Sequence, residues 1–331
     1  MTSATSLHQR TSALRRAAVR ATLAPSVHNT QPWRFVLESN RLDMVSDGHR
    51  QLLALDPTGR QMIISCGCAL FNARASLASA GLDAEVERFP DEDRPDLFAR
   101  ISANGVSDGH VDTIAALDNV VELRQTNRRQ FSDDDVPAEV IADLEMAAKA
   151  EGAQLHVVRG ETERVVVAML SQRADKIQNA DPAYRAELRA WTTDDASRLD
   201  GVPASAVPLV DGTAQDDVPI RDFDTRGAGH LPAETRSSTR QCLLLLGTTG
   251  DGPDRWLRAG EALERVLLEI TRRGYAASPL TQIVEVPSTR EALRSELRLG
   301  MYPHVLLRVG RAPATPSPRR RRLVDVLDER L

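Results

Sequence analysis

The sequence has few cysteines, three in 331 residues. An odd count without any Cys-Xaa-Xaa-Cys spacing argues against a disulfide framework and against a structural zinc site. Cys66 and Cys68 stand two positions apart within a helical pattern, so we expect them on different faces of a helix as small core residues. The seven histidines include no His-Glu-Xaa-Xaa-His or other metal-ligand spacing. The sequence therefore predicts no metal site.

Other common signals are also missing. No apolar run approaches the roughly 18 residues that a membrane span requires, and the N-terminus has no apolar stretch typical of secretory signals. A formal net charge of −5 argues against a protein that wraps nucleic acid. Neither Gly-Xaa-Gly-Xaa-Xaa-Gly nor a phosphate-loop motif occurs, so dinucleotide-fold and P-loop classes lose their usual support. We expect a cytoplasmic protein with no nucleic-acid or membrane partner.

The residues that are present favour an α+β protein with two core-forming units. Hydrophobic residues make up 41% of the chain and charged residues 27%. A helical pattern ends at Pro25, two short strands follow, and residues 61–80 predict a long helix that is apolar on most faces. Later segments repeat the order helix, strand, long apolar helix, strand, which suggests duplication of one unit. We divide the chain into residues 1–107 and 108–331.

Two segments have a different character. Residues 201–231 contain three prolines and show little periodicity, and loops of this length are usually lids or disordered segments. We treat them as a lid-like insertion in the second unit. The tail that includes Arg319–Arg322 is extended and basic, and its simplest interpretation is a solvated tail.

The stretch from Ala24 to Leu37 concentrates candidate binding residues. Two prolines restrict its backbone, and Ser26, His28, Asn29 and Gln31 offer donors and acceptors that suit a planar ligand with polar edges. The alternative is a helix-to-strand connector whose polar side chains satisfy their own backbone, with His28 as a hydrogen-bonded loop histidine. Composition alone leaves both interpretations open.

A second cluster of polar residues precedes Phe131. Thr126, Asn127, Arg128 and Arg129 bring hydroxyl, amide and guanidinium groups close to a turn. A phosphate requires several donors and a compensating positive charge, which such groups provide. The alternative is a solvated connector.

The run Pro-Ser-Xaa-Xaa-Asn-Xaa-Gln-Pro-Trp-Arg-Phe, residues 25–35, resembles a signature of the FMN-dependent nitroreductase family in order and spacing. The resemblance spans nearly the whole chain outside residues 201–231 and is to the tandem, single-chain, Acg-like branch. It implies a nitroreductase-like α+β fold in which two fused half-units form an intramolecular pseudo-dimer around antiparallel-centred sheets. Such a chain would act as a monomer and hold one FMN between its halves.

The resemblance also implies which residues bind the flavin. The opening loop would contribute Pro25, Ser26, Val27, Asn29 and Gln31. The phosphate would be held by Asn127, Arg129, Arg320 and Arg322, with Arg128 beside them. The turn at Pro279, Leu280 and Thr281 would supply backbone donors from Leu280 and Thr281 near flavin N5, and Arg236 would lie near the pyrimidine ring.

The implied activity is hydride transfer from NADH or NADPH through flavin N5 to a small quinone-like or nitroaromatic acceptor, which requires no catalytic side chain. In this branch a lid can cover the flavin, so a non-catalytic flavin-binding or storage protein with blocked nicotinamide access is the alternative. A third hypothesis is a structural relative without cofactor, since Gln125, Thr126 and Asn127 depart from the family's phosphate motif.

Overall fold

The computed structural model describes residues 7–106, 112–193, 195, 197–203, 206, 218–223 and 241–330. The helices are α1 (Leu7–Ala21), α2 (Arg60–Ser79), α3 (Asp112–Ala115), α4 (Ala138–Ala150), α5 (Gly160–Ala180), α6 (Pro182–Trp191), α7 (Pro253–Arg272), α8 (Gln282–Glu285) and α9 (Pro287–Glu296). The strands are β1 (Trp33–Glu38), β2 (Arg41–Ser46), β3 (Leu82–Arg88), β4 (Leu97–Val106), β5 (Gln154–Val157), β6 (Cys242–Thr248), β7 (Ala276–Leu280), β8 (Tyr302–Gly310) and β9 (Leu327–Glu329).

The two sheets share one strand order. The first sheet runs β3-β4-β2-β1 and the second runs β7-β8-β6-β5, and every neighbouring pair in these orders is antiparallel. Each set of four strands also has its long helix, α2 or α7, between its second and third strands in the chain. This arrangement confirms the predicted α+β class with antiparallel-centred sheets. The predicted boundary at residue 107 lies outside the described residues.

Two strands were not expected from the sequence. β9 pairs in parallel with β1, with Phe35 opposite Leu327, so the end of the chain completes the first sheet. β7 pairs with β8 even though it contains Pro279, where the sequence favoured a turn. A three-residue strand carries no measurable periodicity, and a proline usually marks a strand edge or a turn. The sequence made no prediction for residues 327–329, and the prediction of a simple turn was wrong for Pro279 and Leu280.

Helices α2 and α7 cross at the centre of the molecule. Gly67 and Gly260 are each the eighth residue of their helix, and they meet face to face. A Cβ atom on Gly67 would lie 2.1 Å from the carbonyl oxygen of Leu257, and one on Gly260 would lie 2.0 Å from that of Ile64. The contact is thus reciprocal, and only residues without a side chain let the two backbones approach this closely.

Helix α2 is long and apolar enough, by length and composition alone, to cross a membrane, so the expectation that no such run exists was wrong. However, 83% of its 18-residue apolar window is buried inside the protein. Neighbouring elements cover its apolar surface, and α2 is therefore the core helix that the sequence predicts.

We expect Gly67→Ala to lower the free energy of unfolding by at least about 3 kcal/mol. Overpacking a core costs about 1–3 kcal/mol, and here the obstructing atom is a backbone carbonyl oxygen that cannot rotate away. Gly48→Ala is the matched control, since a Cβ atom there meets nothing within 4 Å. Urea denaturation measures both variants. Equal losses in the two variants would contradict the close helix crossing.

Candidate functional site

A cavity of about 100 Å³ lies between the loop after α1, helix α2 and the end of β7. Five segments of the chain contribute most of its lining. They are residues 25–28, the face of α2 with Gln61, Ile64, Ser65 and Cys68, the pair Thr126 and Arg128, the group Ile220, Arg221 and Phe223, and residues 279–282.

The loop after α1 has a backbone that non-glycine residues rarely adopt. His28, Asn29 and Gln31 have positive φ angles of 51°, 54° and 51°, in the left-handed region. Ser26 holds this conformation, because its Oγ accepts the Gln31 N–H at 2.9 Å and its carbonyl oxygen accepts the Asn29 N–H at 3.0 Å. The strained turn brings His28 into the cavity wall, and strain of this kind is common at binding sites.

Asn29 does not line the cavity. Its Nδ2 donates to the carbonyl oxygens of Gly201 at 3.2 Å and Arg319 at 3.0 Å, and its Oδ1 accepts a bond from Arg320 at 2.7 Å. The side chain therefore attaches the opening loop to the start of the 201–231 insertion and to the C-terminal tail.

Gln31 makes a parallel set of contacts. Its Nε2 donates to the carbonyl oxygen of Leu199 at 2.8 Å, and its Oε1 accepts the Arg321 N–H at 2.7 Å. Arg322 is exposed and forms an ion pair with Asp325 at 2.9 Å, away from the cavity. The tail is thus anchored to the opening loop through Arg319–Arg321, which corrects its interpretation as a solvated segment.

The segment before Phe131 runs extended beside β7, and Thr126 forms a parallel bridge to that strand. Alternate side chains of an extended segment point to opposite sides, and Thr126 and Arg128 line the cavity. Asn127 instead donates to the Pro313 carbonyl oxygen at 2.8 Å and accepts the Arg129 N–H at 2.9 Å. The sequence grouped Thr126 with Asn127 in one polar cluster, although the alternation Arg-Xaa-Thr-Xaa-Arg could have separated the two residues.

Arg128 brings a positive charge into the cavity wall. Its guanidinium carbon lies 5.0 Å from the centre of the Phe223 ring, and it forms no ion pair with a carboxylate of the described residues. Burial and the nearby charge of Arg221 lower the pKa of Arg128 to about 10. A buried cation in this state is stabilised by a bound anion or by the electron-rich edge of a ligand.

Arg221 enters the cavity wall from the 201–231 insertion and is fixed by Glu285. Its Nη2 lies 2.6 Å from Glu285 Oε1 and donates to Thr281 Oγ1 at 3.1 Å, while its Nη1 donates to the Tyr184 hydroxyl. Burial alone would raise the pKa of Glu285. The charge and hydrogen bonds of Arg221 have the larger effect, so the pKa lies below its ordinary value. Breaking a buried pair of this kind costs about 3–5 kcal/mol.

Phe223 closes the cavity over His28. The two ring centres are 5.7 Å apart at an interplanar angle of 73°, an edge-to-face contact. Neither ring nitrogen of His28 has a hydrogen-bond partner in the described structure, so it is not the hydrogen-bonded loop histidine of the simpler interpretation. Burial, followed by the charges of Arg221 and Arg128, holds the pKa of His28 well below its usual range.

A buried cluster of charges lies next to Cys68, one step behind the cavity wall. Arg124 Nε is 3.4 Å from Glu264 Oε1, and burial raises the pKa of Glu264 to about 7. Burial and the charge of Arg124 lower the pKa of Arg320 to about 9. The Nε atoms of Arg124 and Arg320 and both carboxylate oxygens of Glu264 lack hydrogen-bond partners among the described residues. Two guanidinium groups against one carboxylate leave net positive charge here.

The structure thus divides the predicted site residues into two groups. Those that meet at the cavity are Pro25, Ser26, Val27, Arg128, Pro279, Leu280 and Thr281. Those that lie outside its lining are Asn29, Gln31, Asn127, Arg129, Arg320 and Arg322. Arg236 lies outside the described residues. The lining residues of α2 were predicted only as parts of a long apolar helix, with Cys68 as a small core residue, because core packing and cavity lining favour the same apolar side chains.

Comparison with known proteins decides the family. Rv3131 of Mycobacterium tuberculosis (strain ATCC 25618 / H37Rv), by name a candidate NAD(P)H nitroreductase, is 37% identical over 310 residues, which cover 91% of this chain and 87% of that protein. The chain belongs to the nitroreductase family. Acg of the same strain, also named as a candidate NAD(P)H nitroreductase, is 32% identical over 312 residues, which cover 93% of this chain and 92% of that protein. The predicted Acg-like assignment is confirmed. No protein-family model matches the chain.

Solved nitroreductase structures are more distant. The FMN and NADPH-dependent nitroreductase NfnB from sphigopyxis sp. strain HMH is 20% identical and covers 64% of this chain and 97% of its own, with a TM-score of 0.40. The FMN-dependent nitroreductase NfnB from Mycobacterium smegmatis, solved in complex with NADPH, is 16% identical with the same coverage and a TM-score of 0.38.

We expect the free energy of unfolding to fall as pH is lowered from about 7 to about 5, and His28→Gln to lessen this fall. The folded pKa of His28 lies well below the ordinary histidine value of 6.5, so the unfolded chain binds more protons below that pH. Stability present above pH 6.5 is therefore lost as pH falls towards the folded pKa.

Urea denaturation of wild type and variant at the two pH values measures this difference. His49→Gln, at an exposed histidine, is the matched control and should leave the pH dependence unchanged. An identical pH dependence in wild type and His28→Gln would show that His28 does not carry the effect.

Proposed function

We propose that the chain is an FMN-binding oxidoreductase of nitroreductase type that uses NADH or NADPH and reduces small quinone-like or nitroaromatic acceptors. The observation that carries this proposal is the meeting of Pro25, Ser26 and Val27 with Leu280 and Thr281 around one cavity. These segments are more than 250 residues apart in sequence, roughly three-quarters of the chain. The names of the M. tuberculosis relatives point to the same activity.

The lining of the cavity fits a flavin ring in its chemistry. Val27, Ile64 and Leu280 supply apolar surface, while Thr126 and Arg128 supply a hydroxyl and an unpaired cation at the edge. Ligand sites typically combine apolar walls with a few polar groups in this way. When bound, FMN would supply the two-electron chemistry that side chains lack.

For the phosphate group we propose Arg124 and Arg320. Arg124 is buried beside Cys68, and the half-buried Arg320 lies close enough to feel the charges of Arg124 and Glu264, so the two guanidinium groups carry more positive charge than Glu264 balances. An anion would offset that excess charge and accept hydrogen bonds from the Nε atoms, which have no hydrogen-bond partner among the described residues. Arg320 was predicted for this role. The side chains of Asn127 and Arg322 instead contact Pro313 and Asp325, and Arg129, whose Nε has no hydrogen-bond partner among the described residues, lies outside the cavity lining.

We infer that the chain is a fused pseudo-dimer that acts as a monomer. Residues 1–107 would form one half and residues 108–331 the other. The equal strand orders of the two sheets support this inference, as does the reciprocal crossing of Gly67 and Gly260. The exchange of β9 into the first sheet ties the second half to the first.

The inferred symmetry also supports one FMN per chain. With the crossing glycines aligned, Cys68 on α2 corresponds to Glu261 on α7. Cys68 lines the cavity, but Glu261 is 1% exposed and accepts hydrogen bonds from Arg74 at 2.7 Å and from Arg88 at 2.8 Å. This ion network fills the position that a second flavin would need.

A second candidate function is a flavin-binding or storage protein whose lid blocks nicotinamide access. Arg221 and Phe223 of the 201–231 insertion form part of the cavity wall. The remaining volume of about 100 Å³ is below the roughly 300–1,000 Å³ of typical ligand sites. Both residues must therefore move before a flavin and a nicotinamide can stack in this cavity.

Titration of the purified protein with FMN should end at one flavin per chain, and sedimentation should give a monomer. The reason is the ion network around Glu261, which leaves space for a ligand on one side of the crossing only. Flavin fluorescence quenching measures the stoichiometry. Two flavins per chain would refute the fused pseudo-dimer, and the lack of any flavin binding at saturation would favour the hypothesis of a relative without cofactor.

Arg128→Gln should weaken FMN binding about 10- to 100-fold, since hydrogen bonds to charged groups contribute about 1.5–3 kcal/mol. Arg129→Gln, at the neighbouring residue outside the cavity lining, is the matched control and should bind FMN as the wild type does. Equal affinities of the two variants would remove Arg128 from the site.

Anaerobic mixing with NADH or NADPH separates the two candidate functions. If the chain is an oxidoreductase, the flavin colour of the wild type bleaches. If it is a storage protein, only the flavin bound to the Phe223→Ala variant bleaches, because removal of the ring opens the cavity to the nicotinamide. Colour that persists in both proteins and yields only to a chemical reductant would contradict a nicotinamide-dependent activity.

A further inference from the structure

A second cavity of about 500 Å³ lies behind the wall formed by Tyr184 and Glu285. It is bordered by the loop before α2, the facing ends of α5 and α6, the start of α7, helix α9 and the start of β8. Glu285 forms part of this cavity, while its ion-pair partner Arg221 lines the first one. The proposed flavin chemistry makes no use of the second cavity, although its volume is within the range of ligand sites.

Arg60 gives this cavity a buried cation with spare donors. The residue is 7% exposed and donates one hydrogen bond, to the carbonyl oxygen of Val284. Its Nε has no partner in the described structure, and no described carboxylate lies within ion-pair distance. Burial, followed by the charge of Arg290, lowers the pKa of Arg60 to about 10. A negatively charged ligand would compensate this charge.

The carboxylates around the cavity do not take that place. Asp251 pairs with Arg290 at 2.7 and 2.9 Å and accepts the Trp256 indole N–H at 2.6 Å. Because these bonds hold the indole and the Arg290 guanidinium together, they form a fixed polar edge of the cavity.

The remaining acids are also engaged or exposed. Asp56 accepts a backbone N–H at 3.0 Å at the start of α2, and Asp181 accepts one at 2.8 Å at the start of α6. Glu285 pairs with Arg221. The side chain of Glu291 is 72% exposed.

Tyr302 provides a flat surface next to a second cation with a spare donor. The Arg294 guanidinium lies 4.1 Å from the centre of the Tyr302 ring, a stacking geometry. Arg294 Nε is buried without a hydrogen-bond partner among the described residues. Its only described ion-pair contact is with Glu291 at 3.9 Å. The guanidinium therefore covers one face of the Tyr302 ring, and its own planar group, with a free Nε donor, suits a planar ring that carries a negative group.

We propose that this second cavity binds a small organic anion, with its phosphate or carboxylate group at Arg60 and its planar ring against the stacked pair of Arg294 and Tyr302. A nucleoside monophosphate has both features. The proposal is independent of the flavin site, from which the Arg221–Glu285 pair separates the second cavity.

Isothermal titration calorimetry of the purified, FMN-supplemented protein with AMP, adenosine and inorganic phosphate tests the proposal. We expect one AMP per chain and at least tenfold weaker binding of adenosine, which lacks the anion, and of phosphate, which lacks the ring. Arg294→Gln should weaken AMP binding at least tenfold and leave FMN binding unchanged. The matched control is Arg272→Gln, which removes an exposed arginine paired with Glu269 elsewhere on the surface.

Three outcomes would overturn the proposal. The first is a lack of AMP binding at about 1 mM, a concentration that detects even weak binding. The second is equal affinity for AMP and adenosine. The third is AMP binding that FMN abolishes, which would place AMP in the first cavity. Because the Arg294 side chain is 33% exposed, we expect its variant to fold, and circular dichroism checks this. If the protein binds no FMN at all, the same titration without FMN still decides the proposal.

Discussion

Two glycines allow helices α2 and α7 to touch backbone to backbone, and the rest of the molecule depends on that contact. A Cβ atom on either Gly67 or Gly260 would stand about 2 Å from a carbonyl oxygen of the opposite helix. With the backbones this close, residues of both helices form one wall: Ile64 and Cys68 of α2 line the first cavity together with Leu263 of α7. The two sheets, with their equal strand orders, pack around this pair of helices.

The two sides of the crossing differ in the size and charge of their side chains. On one side Cys68 is small and uncharged and leaves a cavity open to Arg128. On the other side Glu261 receives Arg74 and Arg88 in a buried network, which close packing and matched charge hold together. Removing one partner from such a network costs about 3–5 kcal/mol, so the filled side is not easily reopened. Two sheets of equal strand order thus surround a single proposed flavin site.

The sequence predicted the parts of the fold and site that depend on periodicity and fixed spacing. The long helices follow from apolar patterning, and the loop with Pro25 and Ser26 follows from its order of residues. The sequence did not predict which side chains of an extended segment face the cavity. Thr126 and Arg128 face it, and Asn127, between them, faces away. Shifting an extended segment by one position exchanges its two faces. Phe223 lies in an aperiodic stretch, so no local pattern could place its ring over His28.

The central claim is that flavin binds in one cavity, which is lined by residues 25–28 and residues 279–282. A crystal structure of the protein with FMN tests this most directly. The account predicts a single flavin whose ring lies between residues 25–27 and residues 279–281, with Phe223 displaced from its position over His28 and the ion pairs of Glu261 intact. A flavin bound elsewhere, or a second one at the position of Glu261, would contradict it.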